Sequence, residues 1–255
     1  MTTLIVDVSQ FGGVPDYTFL ANEGAQGVIP RLCSGSRDLD TSIDRQLDAI
    51  DQVPGLRVPA AYQYIKSWHN GASMCRFALE EAEKRGLRFV VADTEPVMVG
   101  ERQTDDPPHA REVVHDWLRE HLLLTGRKGI VYGPASYLDQ LHLDADLVGP
   151  LWIAAWGFRR PPRTRPWGDE CALHQYRANA PGGKSGTAVD WNQTELTLEQ
   201  LALKFAEFAG EQPAGWDASW ARAVELSDRV AGRRPGGGAE AFEPTHVEDT
   251  LPPSG

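Results

Sequence analysis

Residues 89–96 read FVVADTEP, an apolar run that ends on two carboxylates, Asp93 and Glu95, and then on a proline. On a strand, side chains two positions apart share a face, so this pair projects together, roughly 6.5–7 Å apart along the backbone. Burying an unpaired carboxylate behind an oily strand is expensive, so the pattern needs a reason beyond packing. Asp7 closes the apolar run LIV near the start of the chain, and Asp190 follows TAV much later. If the four acids converge, mutual repulsion and partial burial raise at least one pKa and leave a protonated carboxylic acid at neutral pH. A protonated acid beside an ionised one is what cleavage of a glycosidic bond requires. One protonates the leaving oxygen, and the other stabilises positive charge at the anomeric carbon. Taken singly, any of these acids is better explained as a turn cap facing water; it is the pair behind FVVA that favours chemistry.

Aromatic residues stand near the same strand ends. Tyr62 and Tyr64 share a face, Tyr132 ends another apolar run, and Trp152, Trp156 and Tyr176 lie close to others. Rings with a polar handle suit stacking on sugars, although core packing explains aromatics as often. One basic concentration, FRRPPRTRP, holds Arg159, Arg160, Arg163 and Arg165. It reads either as a solvated proline-rich loop or as a contact for an anionic substrate.

Other chemistries find no footing. No serine sits in G-x-S-x-G, and LCSGS lacks the leading glycine. His115 and His121 are spaced wrongly for H-E-x-x-H, and no C-x-x-C occurs, so no metal is expected. Without a P-loop or a G-x-G-x-x-G after a strand, no nucleotide cofactor is expected either. NQT at Asn192 fits a glycosylation sequon but has no secretory context.

The elements that must position the acids alternate through the first two-thirds of the chain. TLIVDVS, GVIPRL, RVPAAYQYI, RFVVAD, GIVYG and PLWIAAW read as strands, with ALHQYR and TAVDWN as candidates for two more. Ile43, Leu47 and Ile50 fall on one helical face. GASMCRFALEEAEKRG reads as a helix stopped at Gly86, and Pro107 and Pro108 open another that runs through Trp117 and Leu118 to Gly126. Near-continuous apolar strands separated by helices indicate an α/β fold, a parallel sheet closed as a β/α barrel whose active site lies at the C-terminal strand ends. From Pro150 to Trp191 no helical period appears, so the expected barrel is irregular and TIM-like, with reduced helical cover on the C-terminal side. Pro30 removes a ladder donor within GVIPRL and predicts a bulge there. The barrel is assigned to residues 1–210, with TLEQLALKFAEFAG completing it. A helical extension is assigned to 211–232 and a disordered acidic tail to 233–255.

A formal charge of −11 excludes a protein built to hold nucleic acid. No stretch approaches the roughly 20 apolar residues of a membrane helix, so no membrane insertion is expected. The opening MTTLIVDVSQ carries no secretory pattern, and three scattered cysteines indicate a reducing compartment.

Five motifs in order, DVSQFGG, VVADTEP, GIVYG, PLWIAAW and LHQYRANAPGGKSGTAVDWNQ, resemble those of the family 25 glycoside hydrolases over about residues 4–195. These are lysozymes that cut the β-1,4 bond between N-acetylmuramic acid and N-acetylglucosamine. The resemblance implies Glu95 as general acid/base and Asp93 as the residue that orients the substrate's acetamido group in a retaining mechanism. Asp7 and Asp190 would hold that constellation, and Gln175 of LHQYR would join Tyr62, Tyr64, Tyr132 and Trp152 in binding substrate. Two departures, Phe11 where the family often has Trp and Gln63 where it often has His, touch expected substrate contacts. The partner implied is bacterial peptidoglycan, met by a monomer. A bacteriophage endolysin fits best, made in the host cytoplasm and acting on the wall after release, or else carried in the virion. Arg159 and Arg160 would then meet carboxylates of the wall. The alternatives are a non-catalytic wall-binding or virion structural protein on the same barrel, and a chitin-directed hydrolase.

Overall fold

Strands whose successive residues are all apolar need cover on both faces, and the chain supplies it by closing its sheet around a packed lumen. The computed structural model describes residues 2–99, 102–103, 105–164 and 171–206. In chain order the elements are β1 (Thr3–Val8), a single 3-10 turn (Gln10–Gly12), α1 (Tyr17–Asn22), β2 (Ala25–Ser34), β3 (Asp38–Leu39) and α2 (Ile43–Asp51). There follow β4 (Ala61–Tyr64), α3 (Gly71–Lys84), β5 (Val90–Asp93), the short β6 (Met98–Val99) and β7 (Arg102–Gln103), and α4 (Pro107–Thr125). The remainder is β8 (Gly129–Pro134), α5 (Ala135–Leu141), β9 (Val148–Ala154), β10 (Leu173–Pro181), β11 (Ala188–Thr194) and α6 (Leu198–Phe205).

Eight strands close in the order β1-β11-β10-β9-β8-β5-β4-β2 and back to β1, with β3 attached outside β2. The barrel is mixed rather than wholly parallel. β11 runs antiparallel to both β10 and β1. The reason is connection length: only residues 182–187 separate β10 from β11, far short of the dozen or so that a parallel crossover needs.

The helices sit where periodicity places them. Ile43, Leu47 and Ile50 are the buried face of α2. Asn70 caps α3 by accepting the Ser73 N–H at 2.9 Å, and Gly86 follows it in the left-handed region at φ +67°. Prolines open α4 and Gly126 ends it at φ +69°. α1 and α5 are too short to show a period in the sequence. Among the described residues no helix intervenes between β9 and β10 or between β10 and β11, as the lack of periodicity from Pro150 implied. α6 completes the barrel as a plug. A capping box of Thr197 and Gln200 starts it, Leu198 lies beside Gly27 near the start of β2, and Phe205 packs edge-on against Phe89 at 6.0 Å just before β5. Those are the N-terminal ends of parallel strands, so α6 closes the end opposite Asp93.

Pro30 stays in the ladder opposite Val8, and the irregularity falls beside it, between Arg31 and Cys33 where β2 meets β4. The expected helix over 211–232 and the acidic tail over 233–255 lie outside the described residues. No helix among the described residues is long and apolar enough to cross a membrane.

Candidate active site

Parallel strands bring their last residues to a common level, and the antiparallel β11 brings its first. Asp7, near the end of β1, pairs in register with Asp190, near the start of β11. Asp93 ends β5, and Glu95 follows two residues on. Thr94 between them turns outward and fastens the acidic segment to β8, its N–H and its hydroxyl both donating to the Tyr132 carbonyl, at 2.8 and 2.7 Å. All four acids line one cleft of about 600 Å³, within the usual size range of a ligand site. Tyr62, Tyr64, Tyr132, Trp152 and Gln175 line it with them. Trp152 packs against the rings of Tyr62 and Tyr132, with centroids 6.2 and 4.6 Å apart.

The remaining expected contacts go elsewhere. Arg159 and Arg160 are exposed and do not line the cleft. Gly157, at φ +78°, turns the chain away after Trp156, and the Arg159 carbonyl accepts from Gln193 Nε2 at 3.3 Å. Gln193 alternates with the inward-facing Asn192, so this part of the arginine loop lies against the outside of the barrel. Arg163 is exposed as well, and Arg165 lies outside the described residues. Gln63 is fully buried on the helical side, donating to the Gly35 and Met74 carbonyls and accepting from Trp117 Nε1, so it is no substrate contact. Phe11 does line the cleft. Asn192 is buried too, which leaves its sequon without access in the folded chain.

Two indoles fix the polar network. Trp156 Nε1 donates to Gln175 Oε1 at 2.8 Å, and Trp152 Nε1 donates to Asn192 Oδ1 at 2.7 Å. An indole N–H only donates, so each amide is held with its NH₂ group pointing the other way. Both NH₂ groups meet Asp7 Oδ2, at 2.9 Å from Gln175 and 2.8 Å from Asn192. Gln175 Nε2 also lies 3.5 Å from Asp190 Oδ2. A proton retained on Asp7 therefore sits on its other oxygen.

Tyr132 joins this network to Glu95. Its hydroxyl is 3.0 Å from Gln175 Oε1 and 3.4 Å from Glu95 Oε1. It has one proton, and the shorter contact, to an oxygen that can only accept, takes it. The longer contact is then satisfied when Glu95 carries a proton and donates. Burial also keeps the phenols of Tyr62 and Tyr132 well above their ordinary range, so both remain O–H donors.

The electrostatics favour retained protons throughout. Burial, then the charge of Asp190, pushes Asp7 up to about 8 against the pull of its two amide donors. Asp93 is raised well above the carboxylate range by burial and then by Glu95 and Asp7, with Arg31 opposing. Its Oδ1 is buried without a hydrogen-bond partner among the described residues. Glu95 is raised by burial and by Asp190, a shift that the Tyr132 hydroxyl would oppose if it turned from Gln175 to donate to an ionised Glu95. Asp190 is raised by burial, against the Asn179 N–H that reaches it at 2.6 Å. Such a cleft can hand a proton to a leaving oxygen near neutral pH and hold a polar N–H at Asp93.

Arg31, in the apolar β2, lines the same cleft and was not singled out from the sequence. Its signal was the one that marked Asp93, a charge inside an otherwise oily strand.

A profile of the family described as Glycosyl hydrolases family 25 matches residues 6–182. No protein of curated function matches the chain by sequence. Among solved structures, a family 25 lysozyme from Aspergillus fumigatus superposes with a TM-score of 0.66 at 17% identity, covering 81% of this chain and 100% of that one. A muramidase from Acremonium alcalophilum gives 0.64 at 17%, covering 80% and 99%. The catalytic domain of an endolysin from a Listeria monocytogenes bacteriophage gives 0.57 at 18%, covering 81% and 98%. At such identities the superpositions establish the fold, while the profile spans more than half of the sequence. By that match the chain belongs to the family 25 glycosyl hydrolases and is a glycoside hydrolase.

Proposed function

We propose that the protein is a muramidase that hydrolyses the β-1,4 bond between N-acetylmuramic acid and N-acetylglucosamine in bacterial peptidoglycan, with retention. The observation that carries this reading is the convergence of Glu95, Asp93, Asp7 and Asp190 on one cleft, where the Tyr132 hydroxyl lies 3.4 Å from Glu95 Oε1 but nearer, at 3.0 Å, to Gln175 Oε1. Glu95 donates its proton to the glycosidic oxygen as the bond breaks. Asp93 Oδ1, buried and without a partner, accepts the N–H of the 2-acetamido group and turns its carbonyl oxygen towards the anomeric carbon. That oxygen closes a cyclic intermediate. Glu95, now a carboxylate, takes a proton from the water that opens it, and the two displacements restore the original configuration. Asp7 and Asp190 hold the amide network that positions Gln175 and, through it, Tyr132.

Replacing Glu95 by Gln keeps the shape and removes the proton, so kcat on purified peptidoglycan is expected to fall roughly 10²–10⁴-fold. Mass spectrometry of the wild-type products should show new reducing ends on muramic acid. Reducing ends on glucosamine alone, or undiminished cleavage by the variant, would overturn the assignment.

We also propose that the enzyme works as a monomeric endolysin, made in a host cytoplasm and acting on the wall after release. Supporting this, Cys33, Cys75 and Cys171 are all free. Expression in a bacterial cytoplasm should leave cells intact until the membrane is permeabilised, and then lyse them. Lysis without permeabilisation counts against that placement.

A further inference from the structure

Arg31 is only 9% exposed, yet it lines the cleft. Its Nε donates to Asp40 Oδ2 at 2.9 Å. Asp40 is itself held by the backbone N–H of Gln10 at 3.0 Å and by the N–H and hydroxyl of Ser42 at 2.9 and 2.6 Å. The Phe11 ring covers one face of the guanidinium at 4.5 Å. The side chain is therefore fixed from behind and from one side. Its Nη1 and Nη2 groups have no hydrogen-bond or ion-pair acceptor among the described residues. A buried guanidinium with an open planar pair of N–H donors is matched by a carboxylate, or by another exposed carbonyl oxygen. The other cleft-lining lysine or arginine, Lys66, is already bonded to Asp38 at 2.5 Å.

Position narrows the ligand. Around the mouth, β2 with Arg31 stands two strands from β5 with Asp93, and β4 with Tyr62 lies between them. If Asp93 takes the acetamido group on C2 of the sugar, the neighbouring sector faces the substituent on C3. Muramic acid differs from glucosamine at that carbon alone, by a lactyl ether. The ether ends in a carboxylate, or in an amide carbonyl where a stem peptide is attached. We propose that Arg31 anchors a subsite for the lactyl group of muramic acid, its Nη pair receiving the terminal carboxylate or the carbonyl that replaces it. This rests on the muramidase reading and adds to it the residue that distinguishes muramyl glycan from chitin.

The test is made on Glu95→Gln protein, so that binding is read without turnover, by calorimetry with chemically defined hexasaccharides. The probes are chitohexaose, the alternating muramyl hexasaccharide with free lactyl groups, its stem-dipeptide derivative, and an analogue with the lactyl carboxyl reduced to an alcohol. The muramyl hexasaccharide is expected to bind roughly 10–100-fold more tightly than chitohexaose. Arg31→Lys keeps a charge beside Asp40 but loses the planar pair of donors, and should cut that ratio to about threefold or less. Reduction of the lactyl carboxyl should cut it similarly with Arg31 intact, which tests the subsite even if the variant folds poorly. A preference retained by the dipeptide derivative assigns the contact to the carbonyl, and one lost there assigns it to the free carboxylate. If muramyl glycan is cleaved but neither Arg31→Lys nor reduction alters the ratio, the subsite alone is overturned. If the wild type cleaves chitohexaose and leaves muramyl glycan intact, the muramidase reading falls and takes the subsite with it.

Discussion

Two indole N–H groups decide where the protons of the acid cluster sit. Trp156 fixes Gln175, Gln175 fixes the Tyr132 hydroxyl, and that hydroxyl leaves Glu95 as the donor. On the proposed mechanism Gln175 is thus a positioning residue for the general acid. Gln175→Leu frees the Tyr132 proton to donate to Glu95, which favours the carboxylate. Activity should fall as pH rises through the raised pKa of Glu95, and in the variant this alkaline limb should move down by on the order of one pH unit in kcat/KM profiles. A limb that stays in place while kcat drops would mean that Gln175 only supports the fold. Asp7 gives a stability counterpart. Its folded pKa, about 8, lies above the unfolded value, so the folded state holds the proton more tightly. Its stabilising contribution is fully present below about pH 4 and is lost as pH rises through about 8. Asp7→Asn retains an oxygen for the two amide donors without that loss. Its Tm should match the wild type near pH 4 and exceed it by several degrees above about pH 8, as thermal melts can show.

At the scale of elements, Gln63 bolts a barrel strand to its outer helices. Its side chain serves Trp117 of α4, Met74 of α3 and Gly35 after β2, all buried. Gln63→Leu would strand one donor and two acceptors, a loss of roughly 2–4 kcal/mol in urea unfolding, with turnover by the folded fraction preserved. The same position shows what was legible in the sequence. The spacing of Asp93 and Glu95 behind an apolar run marked an inward-facing pair, and Asp7 and Asp190 carried the same mark. Gln63 lies one residue from Tyr62 and Tyr64, and alternation alone places it on the opposite face, yet the resemblance drew it towards the substrate. The direction of β11 was also readable, because PGGKSGTA leaves room for a hairpin and none for a crossover. The path of the arginine loop was not readable, since it depends on Trp156 finding Gln175 across the sheet. Periodicity carries no such information.

For the whole molecule, charge sets how substrate is approached. A net charge of −11 on the chain faces a wall polymer that carries carboxylates of its own. At about 10 mM salt the screening length is about 30 Å and the repulsion reaches far, whereas at about 150 mM it is about 8 Å. Initial rates on cell walls should therefore rise severalfold between these conditions, while cleavage of an uncharged, carboxyl-reduced glycan should hardly change. Equal salt responses for both would rule out long-range repulsion as the limit. The mixed barrel has one more consequence. One ladder, β1 against β11, pairs Asp7 with Asp190 at the cleft and Thr3 with Thr194 at the far end. The first and last strands of the closed ring are thus stitched side by side, with their outer ends pointing away from the sugar. A reporter or targeting module grafted ahead of β1 would trail behind the working mouth, and a re-ordered gene that keeps α6, joins its end to the start of β1 by a flexible linker and opens the chain at a surface turn should still encode a working hydrolase.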